Sequence, residues 1–337
     1  MISEAMPRLM ASPSGMPRSV TKIGYFLSSE QFGPKELIDQ AKRAEAAGFQ
    51  ALWISDHFHP WNDEQGQSPF VWGVIGALSE ATSLPVSTAV TCPTVRIHPA
   101  IIAQAAATAA VQLDNKFVLG VGSGEALNEH VLGDAWPSVG VRQRMLEEAV
   151  EVIRLLHRGE EVSHHGAHYE VQEARIYTLP TQPVPIYVSG FGPQSAALAG
   201  RIGDGYCLAM PDAELVKTFR GAGGGDKPVQ AGTKVSWDRD ADAGLDAAHR
   251  LWANEGLPGQ LAQTLPRPKD FADAMTLVPR DAVAESIACG SDADKHVAQV
   301  RKYLDADVDE VYVQQIGPDM EGFFTSWERD VLPQVQA

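Results

Sequence analysis

Short apolar runs rich in β-branched and aromatic residues alternate with longer segments of helical spacing along most of the chain. The apolar runs predict eight strands, at 22–26, 51–55, 86–91, 117–121, 185–189, 205–209, 233–237 and 310–314. Between them, apolar residues recur every three or four positions and predict helices, for example at 35–47, 99–113, 142–156 and 294–304. Eight strands alternating with helices favour an α/β fold, a closed (β/α)8 TIM barrel, with an open doubly wound sheet as the structural alternative.

Two segments lie outside this alternation. Residues 1–20 are rich in Ser, Pro and Met and contain no continuous hydrophobic stretch, so we expect a disordered N-terminal tail rather than a secretory signal. Residues from about 238 to 287 do not form one βα unit, and we expect an insertion after the seventh strand. The rest of 21–337 is expected to be a single barrel domain.

Composition and charge narrow the function classes. The chain has 337 residues, of which 44% are hydrophobic and 21% charged, as in a folded soluble protein. Its formal net charge of −16 argues against binding to nucleic acid or to an anionic membrane surface, because both require a cationic face. Cys92, Cys207 and Cys289 are odd in number and widely spaced, which suits a reducing compartment, so we expect a cytoplasmic protein.

A barrel brings the carboxyl ends of its strands to one mouth, where active sites form. The second predicted strand ends in Asp56 and His57, with Trp61 close behind, and the first is followed by Glu30. Imidazole titrates near neutral pH, so a histidine fixed at a strand end is a natural proton-transfer group. His57 is therefore the strongest catalytic candidate.

Other residues at the predicted mouth leave alternatives open. The pair His57-x-His59 matches a zinc-ligand pattern, but strands five, six and eight end in Ser189-Gly190, Leu208-Ala209 and Gln314-Gln315, which supply no further ligand, so no metal is expected. Glu125 follows small residues that allow a flat ligand to approach, although a Gly-rich turn ending in Glu is also an ordinary helix start. Lys234 and Trp252 could line the site or could simply be solvated or packed.

Taken together, these segments resemble the luciferase-like oxidoreductases that use the deazaflavin coenzyme F420, in particular the branch with F420-dependent glucose-6-phosphate dehydrogenase. The similarity extends from about residue 22 to near the C-terminus. Its motifs are Glu30-Gln31-Phe32, Ser55-Asp56-His57-Phe58 with Pro60-Trp61, Cys92-Pro93-Thr94 with Arg96, Leu119-Gly120-Val121-Gly122 with Gly124-Glu125-Ala126-Leu127-Asn128-Glu129, and Ala199-Gly200-Arg201 with Gly203-Asp204-Gly205.

The resemblance implies a homodimeric barrel with F420 in its mouth. It assigns His57 as the base that takes the substrate hydroxyl proton, Glu125 as the acid toward the reduced ring, Trp61 to the reacting centre and Glu30 to a place beside the substrate. It also implies a non-prolyl cis peptide between Ala89 and Val90. Cofactor contacts are implied at Asp56, Ala89, Val90, Cys92, Ser123, Gly124, Asn128, Phe191, Gly192, Gln194 and Ser195.

The chain departs from the sugar-phosphate dehydrogenases of this branch at their cationic positions. Residues 208–211 carry no lysine, and the other two cationic positions fall near 270–271 and 284–285, although Lys269 is adjacent to the first of these. Cys92 stands in place of a threonine, which exchanges a hydroxyl for a weak thiol donor. A phosphate dianion normally needs cationic or N–H partners, so the substrate is expected to be an unphosphorylated alcohol or ketone.

The leading hypothesis is hydride transfer between the carbinol carbon of such a small molecule and F420. Three alternatives stay open: a sugar-6-phosphate dehydrogenase with an altered phosphate site, an FMN-dependent luciferase-like monooxygenase, and a non-catalytic deazaflavin-binding protein. Cofactor binding and a substrate screen distinguish them.

Overall fold

The alternating pattern folds as a closed barrel of parallel strands in the computed structural model, which describes residues 21–336. The strands are β1 (Lys22–Leu27), β2 (Leu52–Ile54), β3 (Val86–Thr88), β4 (Phe117–Val121), β5 (Val162–His165), β6 (Glu170–Ala174), β7 (Ile186–Ser189), β8 (Gly205–Leu208), β9 (Val229–Ser236), β10 (Ala288–Cys289) and β11 (Glu310–Gln315). Eight of them, β1 to β4, β7 to β9 and β11, form the barrel, and β5 and β6 form a separate antiparallel hairpin.

Helices follow the barrel strands and cover their outer face. They are α1 (Pro34–Ala46), α2 (Val71–Leu78), α3 (Pro99–Gln112), α4 (Ala126–Glu129), α5 (Val139–Leu156), α6 (Pro193–Ile202), α7 (Ala213–Phe219), α8 (Ala241–Trp252), α9 (Leu261–Thr264), α10 (Pro268–Met275), α11 (Arg280–Ser286), α12 (Ala293–Asp305), α13 (Met320–Ser326) and α14 (Leu332–Val335). None of the helices within 21–336 combines the length and apolarity needed to cross a bilayer.

The strand β9 closes the barrel. It pairs in parallel with β8 on one side and with β11 on the other, and β11 in turn pairs with β1. The predicted closed barrel is therefore confirmed, and the open doubly wound sheet is wrong because an open sheet would leave two unpaired edges. The short β10 adds to the carboxyl end of β9, where β8 no longer reaches.

The barrel interior is polar below its mouth. The Gln230 amide accepts a hydrogen bond from Trp53 Nε1 at 2.9 Å and donates one to Glu310 at 2.8 Å. The Tyr312 ring stacks on Trp53 with 4.6 Å between ring centroids. This plug fills the lower barrel, so the carboxyl ends of the strands remain as the place for a ligand.

Two parts of the structure differ from the sequence prediction. The seventh barrel strand begins at Val229 rather than at 233, because interior positions occupied by Gln230 and Gly232 hide its apolar alternation. The hairpin β5–β6 was not predicted, since its exposed residues carry little β pattern. Residues 238–287 hold the four helices α8 to α11 between β9 and β10. The expected N-terminal tail lies outside the described residues.

Candidate active site

The loop after β2 fixes the orientation of the His57 ring. Its Nδ1 lies 3.1 Å from the His59 carbonyl oxygen. A carbonyl only accepts hydrogen bonds, so Nδ1 must carry the proton and donate it. In the neutral ring Nε2 therefore holds a lone pair, which is directed toward the barrel mouth, where a substrate hydroxyl could give up its proton.

Two carboxylates lie on either side of that nitrogen. The His57 Nε2 atom is 3.4 Å from Glu30 Oε1 and 3.6 Å from Glu125 Oε1. A proton gained at Nε2 would place an imidazolium between two negative charges, which stabilise it. The side chains of Glu30, His57 and Glu125 are 4%, 10% and 22% exposed, so Glu125 faces the open mouth more than Glu30 does.

The Glu30 carboxylate rests on two serines from neighbouring strand ends. The hydroxyl groups of Ser28 and Ser55 donate to its Oε2 atom at 2.9 and 2.7 Å. Because both bonds go to Oε2, the Oε1 atom remains directed at His57. These serines were not predicted as site residues, although both stand at the carboxyl ends of predicted strands.

Asn128 joins the His57 loop to Glu125. Its Oδ1 accepts the backbone N–H groups of Phe58 and His59 at 2.8 and 3.1 Å, and its Nδ2 donates to Glu125 Oε1 at 2.5 Å. Asn128 is 1% exposed. The resemblance implied a cofactor contact for Asn128. In the structure its amide instead hydrogen-bonds both the loop that carries His57 and the Glu125 carboxyl group, and so fixes their relative positions.

Trp61 packs between His57 and the inserted helices. Its ring lies 5.0 Å from the His57 ring and 5.1 Å from the ring of Phe271, which α10 buries completely. The insertion also accepts hydrogen bonds from the Trp61 loop, because Asn62 and Gln65 both donate to the Leu251 carbonyl. Residues 238–287 therefore form one wall of the candidate site.

A buried ionic network supports the strand ends from behind. Asp56 accepts hydrogen bonds from Thr91 Oγ1 at 2.7 Å and from Arg96 at 2.9 Å. Glu129 accepts the Arg96 backbone N–H at 2.7 Å, and burial raises the pKa of Glu129 to about 7. Burial, together with the nearby Glu129, also raises the pKa of Cys92, which disfavours the reactive thiolate form.

The opposite half of the mouth is lined by small residues. The peptide between Ala89 and Val90 is cis, as the resemblance implied. A Cβ atom on Gly122 would lie 2.7 Å from Val90 Cγ2, so only glycine fits there. Gly124 has φ of +80°, a conformation that side chains disfavour, and Ser123 precedes it. These two glycines let the end of β4 pack closely against Val90 and Glu129.

The start of α6 lies next to this half. Gly192 caps the helix, and a Cβ atom at Gly192 would meet nothing within 4 Å, so the space beside it is open. Phe191 is 51% exposed, Gln194 is exposed, and the Ser195 hydroxyl accepts a hydrogen bond from Gln143. The first N–H groups of a helix bind phosphate readily, so these residues suit the phosphodiester of a coenzyme tail.

The predicted residues thus divide into three groups. Glu30, His57, Trp61 and Glu125 meet at the mouth. Asp56, Cys92 and Asn128 are buried behind it with protein partners, and the residues along the small-residue half are Ala89, Val90, Ser123, Gly124, Phe191, Gly192, Gln194 and Ser195. Among residues 21–336, no group of three or more His, Cys, Asp or Glu is placed to hold a metal ion.

Lys269, the cation adjacent to an expected phosphate position, points away from the mouth. Lys269 is two residues before Phe271, which puts the two side chains about 200° apart around α10. Its side chain is 71% exposed, and its ammonium pairs with Asp273 at 2.9 Å. Met210 is 49% exposed after β8, and Glu285 is exposed on α11. Lys269 therefore does not replace the missing lysine at the mouth in this structure.

A closed (β/α)8 barrel with an imidazole and two carboxylates at the carboxyl ends of its strands defines a barrel enzyme, with its candidate site at the mouth. Residues 19–310 match the model of the luciferase-like monooxygenase family. The chain belongs to this luciferase-like family.

Relatives with assigned activities cover almost the whole chain. It is 38% identical over 330 residues to the F420-dependent glucose-6-phosphate dehydrogenase of Amycolatopsis mediterranei, covering 94% of this chain and 99% of the relative. The enzyme of the same name from Segniliparus rotundus is 36% identical over 332 residues, covering 94% and 98%. Among solved structures, an F420-dependent secondary alcohol dehydrogenase in complex with an F420-acetone adduct is 33% identical, with a TM-score of 0.88 and coverage of 94% and 99%.

Proposed function

We propose that this chain is an F420-dependent oxidoreductase that transfers a hydride between the carbinol carbon of a small molecule and the deazaflavin coenzyme. The observation that carries the proposal is the His57 ring, whose Nδ1–H is held by the His59 carbonyl while Nε2 lies between Glu30 and Glu125. In this arrangement His57 is suited to act as a general base, because the groups that stabilise its protonated imidazolium form are already in place. The F420 dependence of the relatives supports the choice of coenzyme.

The coenzyme fits the small-residue half of the mouth. Support comes from the cis peptide between Ala89 and Val90, from the open space beside Gly192, and from the start of α6, which offers N–H groups to a phosphodiester. When bound, F420 supplies the hydride acceptor. Flavin mononucleotide would need reduced flavin and oxygen chemistry, for which the paired carboxylates and His57 have no evident use.

The chain's own residues then handle the protons. His57 Nε2 accepts the substrate hydroxyl proton as the hydride leaves, and the Glu30 carboxylate stabilises the imidazolium that results. Glu125, the most exposed of the three, starts with a proton, gives it up on the coenzyme side, and is only then a second carboxylate beside the imidazolium. Trp61 holds the imidazole in place and excludes water from the reacting carbon. In the reverse direction His57 returns the proton to a ketone.

For the substrate we propose an unphosphorylated alcohol. The support is the apolar segment 208–211 and the pairing of Lys269 with Asp273 on the outer face of α10. The names of the two relatives instead favour a sugar 6-phosphate, which is the alternative. We expect the active form to be a homodimer, which light scattering on the purified protein tests.

A coenzyme and substrate screen tests the proposal. The purified protein is titrated with F420 and with FMN, and F420 reduction is then followed with glucose 6-phosphate, glucose and propan-2-ol. We expect F420 binding in the micromolar range and turnover of an unphosphorylated compound. Dominant activity on glucose 6-phosphate would overturn the substrate class alone. FMN binding with oxygen consumption would overturn the coenzyme, and F420 binding without any turnover would indicate a carrier.

A further inference from the structure

Gln314 carries an unpaired amide inside the barrel. It is 1% exposed, and neither its Oε1 nor its Nε2 atom has a hydrogen-bond partner among residues 21–336. Its neighbour Gln315 is equally buried but donates to the Trp237 carbonyl and accepts from the Trp237 N–H. A buried amide without partners is unfavourable and rare, so the contrast between two adjacent glutamines needs an explanation.

Strand alternation places the Gln314 side chain in the interior. Glu310 and Tyr312 have the same parity on β11, and both contact the interior Gln230. Gln314 is one step further toward the carboxyl end, above the stacked rings of Tyr312 and Trp53. It therefore lies one interior layer above the plug, on the side of the mouth.

The register fixes its neighbours. Gln314 pairs with Lys234 on β9, and the pairing of Tyr25 with Val313 sets Phe26 beside it on β1. The serine that supports Glu30, Ser28, stands one interior step higher on β1, about 7 Å along the strand. The unpaired amide is thus within one substrate length of the proton-transfer group.

Lys234 beside it is already neutralised. Its ammonium pairs with Glu255 at 2.9 Å and lies 4.7 Å from the centre of the Trp252 ring. The indole of Trp252 in turn donates to Gln31. An anionic group entering here would have to displace Glu255 and would be repelled by it, whereas a neutral hydroxyl can bind without breaking this pair.

We propose that Gln314 is a binding residue for a hydroxyl group of a neutral polyhydroxy substrate, with the Lys234–Glu255 pair at the edge of the same subsite. The amide offers one acceptor and two donors, which matches a hydroxyl that both donates and accepts. The proposal rests on the proposed function and extends it, since it places a second hydroxyl of the substrate below the reacting carbon.

The test compares Gln314→Met with Gln315→Met. Both changes keep side-chain length and remove a buried amide, but only Gln315 makes hydrogen bonds within the protein. Gln314→Met should therefore leave the melting temperature unchanged or higher, while Gln315→Met lowers it. Binding is measured by calorimetry with F420 present, for glucose, mannose, myo-inositol, glycerol and the monohydric propan-2-ol.

We expect Gln314→Met to lower the affinity for the polyol that the wild type binds by about tenfold, and the affinity for propan-2-ol by less than about twofold. Gln315→Met should change neither affinity. Equal polyol affinity in wild type and Gln314→Met would overturn the subsite, as would a wild type that binds none of the four polyols. Polyol binding that depends on Gln314 without any F420 reduction would instead refute the proposed function and leave the subsite standing.

Discussion

The link that Asn128 makes between the His57 loop and Glu125 provides a quantitative prediction. Asn128→Ala leaves the N–H groups of Phe58 and His59 without an acceptor and removes the donor to Glu125. Each buried N–H left unpaired costs about 1–3 kcal/mol. Phe58 is 52% exposed, so water can reach part of this loop, and we expect a loss of about 2–4 kcal/mol in the free energy of unfolding.

The effect on turnover should exceed the effect on binding. The same two N–H groups fix the loop that orients His57 Nε2, and a displacement of about 1 Å at a reacting group can cost about 10²-fold in rate. We therefore expect kcat of F420 reduction to fall by about 10²-fold in Asn128→Ala, with F420 affinity changed much less. Urea unfolding and steady-state kinetics on the same preparation measure the two quantities.

Asn128→Asp separates the two functions of the amide. A carboxylate at this position still accepts both N–H groups, so stability should be largely retained. It also replaces the donor to Glu125 by a second negative charge, and two adjacent carboxylates favour the form that keeps one proton. If Glu125 acts as an acid when F420 is reduced, activity should persist to higher pH in this variant.

Asn62 offers a matched control. Its buried amide likewise accepts two loop N–H groups, of Glu64 and Gln65, but has no contact with Glu125. Asn62→Ala should lower stability by a similar amount and leave the pH profile in place. An Asn128→Ala variant within about 0.5 kcal/mol of wild type and with unchanged kcat would refute the reasoning.

Three further predictions follow from the same geometry. His57→Ala should reduce turnover by about 10²–10⁴-fold while F420 titration shows unchanged affinity, and wild-type turnover would remove its role as base. Glu125→Gln should lower kcat with little change in the substrate KM, and an unchanged kcat would argue against its acid role. Burial raises the pKa of Glu129 from 4.5 to about 7, so the native state holds this proton more tightly than the unfolded chain. The free energy of unfolding should then fall by up to about 3 kcal/mol as pH rises from about 5 to 8. Glu129→Gln should weaken this pH dependence, as measured by urea unfolding. The same pH dependence in wild type and Glu129→Gln would contradict the prediction.

The meeting of Glu30, His57 and Glu125 could be predicted because it follows from topology. Parallel strands in a closed barrel bring their carboxyl ends together, so residues far apart in sequence converge whatever their helices do. The pattern of apolar runs was sufficient to place all three. Strand ends were less accurate, and β9 begins four residues before the predicted position because its interior residues are Gln230 and Gly232.

Contacts that depend on the direction in which a side chain points could not be predicted from the sequence. Lys269 is adjacent to an expected phosphate position, yet the phase of α10 turns it to the exposed face, where Asp273 is one turn away. Phe271 reaches Trp61 only because the insertion folds back over the mouth. Both outcomes depend on where a short helix begins and how it packs, and single-sequence periodicity does not determine either.

The two halves of the mouth differ in polarity, and the proposed function uses this difference to separate coenzyme from substrate. The ends of β3 and β4 carry Ala89, Gly122 and Gly124, small residues at which the backbone packs closely against its neighbours. The ends of β1 and β2 supply Glu30 and His57, and β9 and β11 continue this polar half across the barrel closure. A hydride donor carbon must lie between a planar acceptor and a base, so the proposed function places the reaction at the boundary between the halves. With the coenzyme on the β3 and β4 side, as proposed, substitutions of Glu30 or Gln314 on the polar half should change substrate choice and leave F420 affinity unaltered.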